Sequence, residues 1–116
     1  MASDPIKILI VDDDEEVLIA LERLLESEGY STATAWGERE ALALSENLRF
    51  DLLLVDEHVG DPDFDALLAR LKRCQPQAFH LLMHTRKEPR PNSTAAGVCK
   101  WEHTEMKARI RRCLVA

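Results

Sequence analysis

A chain of 116 residues with 46% hydrophobic content can bury one apolar core without disulfide or metal staples. Its net charge of −6 excludes an electropositive surface that would track nucleic-acid phosphates, and no apolar run reaches the ~18 residues that a membrane span needs. Met1-Ala2-Ser3-Asp4-Pro5 lacks the basic and apolar stretches of a secretory signal, and Cys74, Cys99 and Cys113 form an odd, widely spaced set suited to reduced thiols. The chain is expected to work in the cytoplasm, away from membranes and without direct nucleic-acid contact, with residues 1–116 forming a single domain.

Residues 6–12 are almost continuously aliphatic, the pattern of a strand buried on both faces. From Asp14 the spacing changes: Val17, Leu18, Leu21, Leu24 and Leu25 recur at helical intervals, acids crowd the first turn and Gly29 follows, which predicts a helix over 14–28. Ser31 to Trp36 is a shorter, more polar strand suited to a sheet edge, and Gly37 opens a helix with Ala41, Leu42 and Leu44 on its apolar side. A third strand is predicted over 51–56, a helix over 63–74 using Leu67, Leu68 and Leu71, and a fourth strand over 79–84. Arg86 to Ala96 carries Pro89, Pro91, Asn92 and Ser93 without an amphipathic repeat, so an irregular loop or one short turn is expected there. A short strand over 97–99 and a helix over 104–114, with Met106, Ile110, Cys113 and Leu114 inward, complete the chain. Regular strand–helix alternation implies a parallel sheet covered on both faces.

In such a sheet the C-terminal strand ends share one edge, and ligands bind in the crevice outside it. Asp12 and Asp13 end the first apolar strand and Asp56 the third, so three carboxylates are expected to meet there. Gathered carboxylates repel one another and resist ionising in apolar surroundings, which points to a divalent cation, Mg²⁺ first. Thr85 and Lys100 end the fourth and fifth strands at the same crevice.

The series Ile8-Leu9-Ile10-Val11-Asp12-Asp13-Asp14, Leu53-Leu54-Val55-Asp56, Leu82-Met83-His84-Thr85 and Val98-Cys99-Lys100 resembles the receiver domain of two-component response regulators over nearly the whole chain. The resemblance implies a flavodoxin-like (CheY-like) doubly wound sheet of five parallel strands in the order 2-1-3-4-5, with helix four short or missing. It assigns Asp56 as phosphoryl acceptor, Asp13 as a direct Mg²⁺ ligand, Asp12 as a ligand through water, and Asp56 with the backbone carbonyl of His58 as the remaining protein share. Lys100 is then the lysine that pairs with Asp56 and later with phosphoryl oxygens, and Thr85 the hydroxyl that bonds the phosphoryl group after transfer. The implied donor is a phosphohistidine on a sensor histidine kinase or a histidine phosphotransfer protein. The implied role is that of a signalling module, not an enzyme with a separate substrate, whose downstream target is a protein and for which a homodimer is one available assembly.

Other readings compete with this one. A pseudo-receiver would keep the fold as a protein-binding module without phosphorylation. Trp101 stands where the family usually has proline, Arg86 where a small residue usually follows the threonine, Gly97 where an aromatic switch usually lies, and Gly60 and Phe64 at positions usually held by proline and glycine. These departures, with the short 86–96 segment, move the open question from the chemistry to its transmission. A phosphatase with nucleophilic Asp12 and partner Asp14 lacks the cap insertion and following residue of haloacid-dehalogenase-like folds. A zinc site of Cys99, His103, His58, His80 and His84 lacks paired cysteines. Asp13 and Asp14, taken singly, read as helix caps, and Trp36 and Trp101 as packing residues.

Overall fold

In the computed structural model, residues 4–60, 63–85 and 96–114 are described. The strands are β1 (Lys7–Val11), β2 (Ser31–Ala35), β3 (Leu52–Asp56), β4 (Phe79–His84) and β5 (Ala96–Cys99). The helices among the described residues are α1 (Glu15–Ser27), α2 (Glu38–Asn47), α3 (Phe64–Cys74) and α4 (His103–Leu114). All strand pairs are parallel, in the order β2-β1-β3-β4-β5, which is the predicted doubly wound topology. Element ends fall within one residue of the positions read from the apolar spacing, as expected where helix and strand periods change abruptly. The segment expected to be an irregular loop, and with it Arg86, lies outside the described residues apart from Ala96, which opens β5.

The sheet divides the core into two layers. On one face Leu9, Val11, Leu53, Val55 and Leu82 pack with Ala41 and Leu42 of α2 and with Phe64, Leu67 and Leu71 of α3. On the other, Ile8, Ile10, Leu52, Leu54, Leu81, Met83 and Val98 pack with Val17, Leu21 and Leu25 of α1 and with Met106 and Ile110 of α4. Strands buried on both faces explain why β1 and β3 read as unbroken aliphatic runs, while β2, an edge strand, is half-buried and polar. Asp14 caps α1, its carboxylate accepting from the Glu16 N–H at 3.0 Å, so the capping expectation holds for Asp14.

Helix α2 ends on carbonyls that need partners, and the buried Gln75 supplies them. Its Nε2 donates to the Ser45 and Leu48 carbonyls at 2.7 and 2.6 Å, and its Oε1 accepts from the Phe50 N–H at 3.0 Å. One side chain therefore ties the end of α2 and the entry to β3 to the end of α3.

At the start of β4, burial and the nearby Lys72 charge hold His80 below its ordinary pKa, and its Nε2 is buried without a hydrogen-bond partner. The unfolded chain therefore binds this proton more readily than the folded one, and the folded state is penalised as the imidazole charges. Stability is expected to be highest above about pH 6.5 and to fall as the pH drops through that value toward the lower folded pKa. Urea unfolding of wild type and His80→Gln between pH 8 and 5 checks this: the variant should lose less stability over that interval, and parallel curves would contradict it.

Candidate functional site

Because all five strands run the same way, the residues that follow them converge at one edge. Asp12 directly follows β1, Asp56 is the last residue of β3, Thr85 follows β4 and Lys100 follows β5. Hydrogen bonds extend the sheet beyond the strands: the Asp12 N–H donates to the Ala35 carbonyl at 3.1 Å, the Glu57 N–H to Met83 at 3.0 Å and the Lys100 N–H to His84 at 2.8 Å. These bonds fix where each functional side chain starts.

The carboxylates of Asp12, Asp13 and Asp56 come together, each offering an oxygen within 4.8 Å of the others. Asp12 and Asp56 are buried, at 0% and 3% exposure, while Asp13 is exposed, so the cluster has a buried floor and an open side. Lys100, 6% exposed, enters from the floor. Its Nζ donates to Asp12 Oδ2 at 2.7 Å and forms an ion pair with Asp56 Oδ1 at 3.0 Å. The second contact lies off the hydrogen-bonding angle, which leaves Asp56 Oδ1 buried without a hydrogen-bond partner. The other oxygens are spoken for: Asp12 Oδ1 accepts from the Asp14 N–H at 2.9 Å, and Asp56 Oδ2 from the His58 N–H at 3.3 Å.

The electrostatics follow from burial against pairing. Burial pushes the Asp12 carboxyl above its ordinary range, outweighing the Lys100 hydrogen bond and the Asp14 N–H, and the nearby Asp56 charge pushes the same way. Burial alone would lower Lys100, but its hydrogen bond to Asp12 and the approach of Asp56 outweigh this and hold the ammonium above its ordinary pKa. One buried cation thus compensates two buried anions, and Asp13 adds a third. The set consists wholly of hard oxygen donors, and an orphaned oxygen of Asp56 lies within it. That chemistry fits a small divalent cation such as Mg²⁺.

The remaining sequence-selected residues fare differently. Thr85 lies at the same edge and is exposed, and among the described residues no hydrogen bond joins it to Asp56. The imidazole of His58 is exposed, with Nε2 3.6 Å from buried Glu57. Gly60 adopts φ +80°, a conformation that favours glycine in this turn after Asp56, and a Cβ there would press on Leu67 Cδ2 at 3.2 Å. Among the described residues only the three aspartates form a ready metal-ligand group, which leaves the histidine–cysteine zinc set unassembled. The packing expectation for the tryptophans is corrected: Trp36 and Trp101 are 65% and 61% exposed. Both stand where the chain leaves the sheet, Trp36 just after β2 and Trp101 beyond Lys100, so neither reaches a core layer. Trp36 instead lines an open cleft of about 480 Å³ with Asp13, Leu18, Ile19 and Thr34. Sequence reasoning paired Lys100 with Asp56 and missed its shorter bond to Asp12, which no local spacing could signal.

Comparison with known proteins places the chain in a family. Residues 8–100 match the response regulator receiver domain. The transcriptional regulatory protein ZraR of Escherichia coli K12 is 37% identical over 83 residues, covering 72% of this chain and 19% of that protein. The chain therefore spans about a fifth of the length of that curated relative. Among solved structures, the chemotaxis protein CheY4 of Vibrio cholerae superposes with a TM-score of 0.84 at 22% identity, covering 96% of this chain and 100% of that one. The response regulator TrrA of Thermotoga maritima, solved with Mg²⁺ and BeF, superposes with a TM-score of 0.80 at 22% identity, covering 94% and 99%, and TrrA has also been solved in complex with the histidine kinase ThkA. These structural likenesses carry the fold, and the sequence match carries the family: the chain belongs to the response regulator receiver domains of two-component signalling.

Proposed function

We propose that Asp56 accepts a phosphoryl group from a phosphohistidine and that the resulting acyl phosphate is the signal this domain carries. The observation that supports the reading best is the buried Lys100 ammonium held 2.7 Å from Asp12 and 3.0 Å from Asp56 within the three-carboxylate cluster. In the transfer, an Asp56 carboxylate oxygen attacks phosphorus, the P–N bond to the donor imidazole breaks and the imidazole departs. Asp56 arrives positioned by β3 and by its bond from the His58 N–H. Lys100 then turns from its carboxylates toward the phosphoryl oxygens, where its fixed positive charge stabilises what Asp56 has gained. Thr85, exposed at the same edge, supplies a hydroxyl to a phosphoryl oxygen and thereby registers the transfer.

Asp12, Asp13, Asp56 and the His58 carbonyl would hold Mg²⁺, which when bound neutralises the carboxylates and the incoming phosphate so that two anions can approach. The donor is a sensor histidine kinase or a histidine phosphotransfer protein, and the listener is a second protein. Residues 1–116 act as one receiver domain, working as a signalling module in the cytoplasm. No helix among the described residues is long and apolar enough to cross a membrane.

Amide NMR spectra with Mg²⁺ and beryllofluoride, a phosphoryl mimic, test the reading. Shifts centred on Asp56, Thr85 and Lys100 are expected, and all three should vanish in Asp56→Asn. An unchanged wild-type spectrum would favour the pseudo-receiver, a protein-binding module of the same fold.

A further inference from the structure

Two side chains beside the site are used neither by the core nor by phosphoryl transfer. His84 precedes Thr85 and Cys99 precedes Lys100, and the two are Cα register partners across β4 and β5. Met83 and Val98 point into the layer with α1 and α4, so the pleat turns His84 and Cys99 to the opposite face, where Leu82 packs. Register partners on one face of strands about 4.8 Å apart are cross-strand neighbours, with no hydrogen bond from the thiol to His84 Nδ1 in this structure. His84 is 4% exposed and its Nδ1 is buried without a hydrogen-bond partner. Cys99 is a free, half-buried thiol. A buried ring nitrogen left unbonded costs stability, and a neighbouring thiol is the group that could use it. The pair is also wired to the site, because the Lys100 N–H donates to the His84 carbonyl at 2.8 Å.

We propose that Cys99 is a modifiable thiol with His84 as its base, that it reacts with hydroperoxides, and that its oxidation weakens phosphoryl acceptance at Asp56. The Cys99 thiol passes its proton to the His84 imidazole, and the thiolate attacks the terminal oxygen of the peroxide. The S–O bond forms as the O–O bond breaks, and the departing alkoxide, or hydroxide where the oxidant is hydrogen peroxide, takes the proton from the imidazolium and leaves as alcohol or water. Sulfur is oxidised to the sulfenic acid and peroxide is reduced. The added oxygen must be housed on the sheet face beside His84, one residue from the lysine that bridges Asp12 and Asp56. This coupling rests on the phosphoryl-accepting function proposed above, whereas the thiol chemistry does not.

Peroxide oxidation of the full chain, with dimedone trapping and peptide mass analysis, compares the three cysteines directly. Cys99 is expected to be trapped about a hundredfold faster than the half-buried Cys74 and Cys113, the lower end of what a positioned base confers, and His84→Gln should erase that lead. Equal or slower trapping of Cys99, or a lead that survives His84→Gln, would overturn the thiol site. In parallel, acetyl phosphate labelling should slow in oxidised wild type and persist through peroxide in Cys99→Ser. Undiminished labelling of protein oxidised at Cys99 would overturn the coupling. Absence of labelling even in reduced wild type would remove the coupling together with the phosphoryl-accepting reading, while the trapping rates would still decide the thiol site.

Discussion

Lys100→Met is expected to destabilise the metal-free protein by about 3 kcal/mol at neutral pH, because it keeps the side chain's bulk and removes the ammonium that, among the described residues, pairs with buried Asp12 and Asp56. With the cation gone, two carboxylates face each other at 0% and 3% exposure. Asp12, already raised by burial, should rise further. A group with a raised folded pKa binds its proton more tightly in the folded state, so its contribution is greatest at low pH and is lost as the pH rises through that pKa. The variant's deficit should therefore shrink as the pH falls toward the carboxylate range. It should also shrink on adding Mg²⁺, if a cation at Asp12, Asp13 and Asp56 takes over the lost compensation. Urea unfolding at pH 7 and pH 5, with and without Mg²⁺, measures all of this. An unchanged midpoint in the metal-free variant would show that Lys100 does not hold the carboxylates together.

Gln75→Ala should cost a similar amount, about 2–4 kcal/mol, by a different route. It strands the Phe50 N–H and the Ser45 and Leu48 carbonyls, which Gln75 joins at 3.0, 2.7 and 2.6 Å, and each unsatisfied buried group costs about 1–3 kcal/mol. The full sum is not reached because an open cleft lined by Ser45, Leu48, Phe50 and Gln75 lets water replace part of the loss. Hydrogen exchange should quicken at Phe50 and in the last turn of α2. Chemistry at Asp56 should be unaffected, since Gln75 lies at the end of α3 whereas Asp56 closes β3 at the opposite edge of the sheet. Loss of labelling at Asp56 in a folded Gln75→Ala protein would contradict that separation.

These two residues mark where the sequence was legible and where it was not. Strands β1 and β3 were readable because burial on both faces demands unbroken aliphatic runs, and α1 because Val17, Leu18, Leu21 and Leu25 repeat with the helical turn. Parallel topology then carried Asp12, Asp56, Thr85 and Lys100 to one edge without any knowledge of distances. Single polar residues with distant partners carry no such period. Nothing around Gln75 announces that it closes α2, and nothing around Lys100 shows that its shorter bond is to Asp12. The tryptophans misled because an aromatic ring is usually buried, whereas Trp36 and Trp101 stand just past the strand ends. The sequence offers His84 only as one member of a histidine–cysteine zinc set, and its buried, unbonded Nδ1 is visible only in the structure.

The order β3-β4-β5 sets the strand ends that carry Asp56, Thr85 and Lys100 in sequence along one edge. The ammonium, the aspartates and the strand-end hydrogen bonds all lie within the described sheet edge, so positioning does not depend on Trp101, which is exposed. Of the departures from the family pattern, Trp101 is exposed, whereas Phe64 is buried in a core layer.

The most direct test of the account is intact-mass analysis after incubation with acetyl phosphate and Mg²⁺, run on wild type and Asp56→Asn and repeated with chelator. The account predicts a gain of one phosphoryl group on wild type only, abolished by chelation. An unmodified wild type, or equal modification of Asp56→Asn, would contradict it.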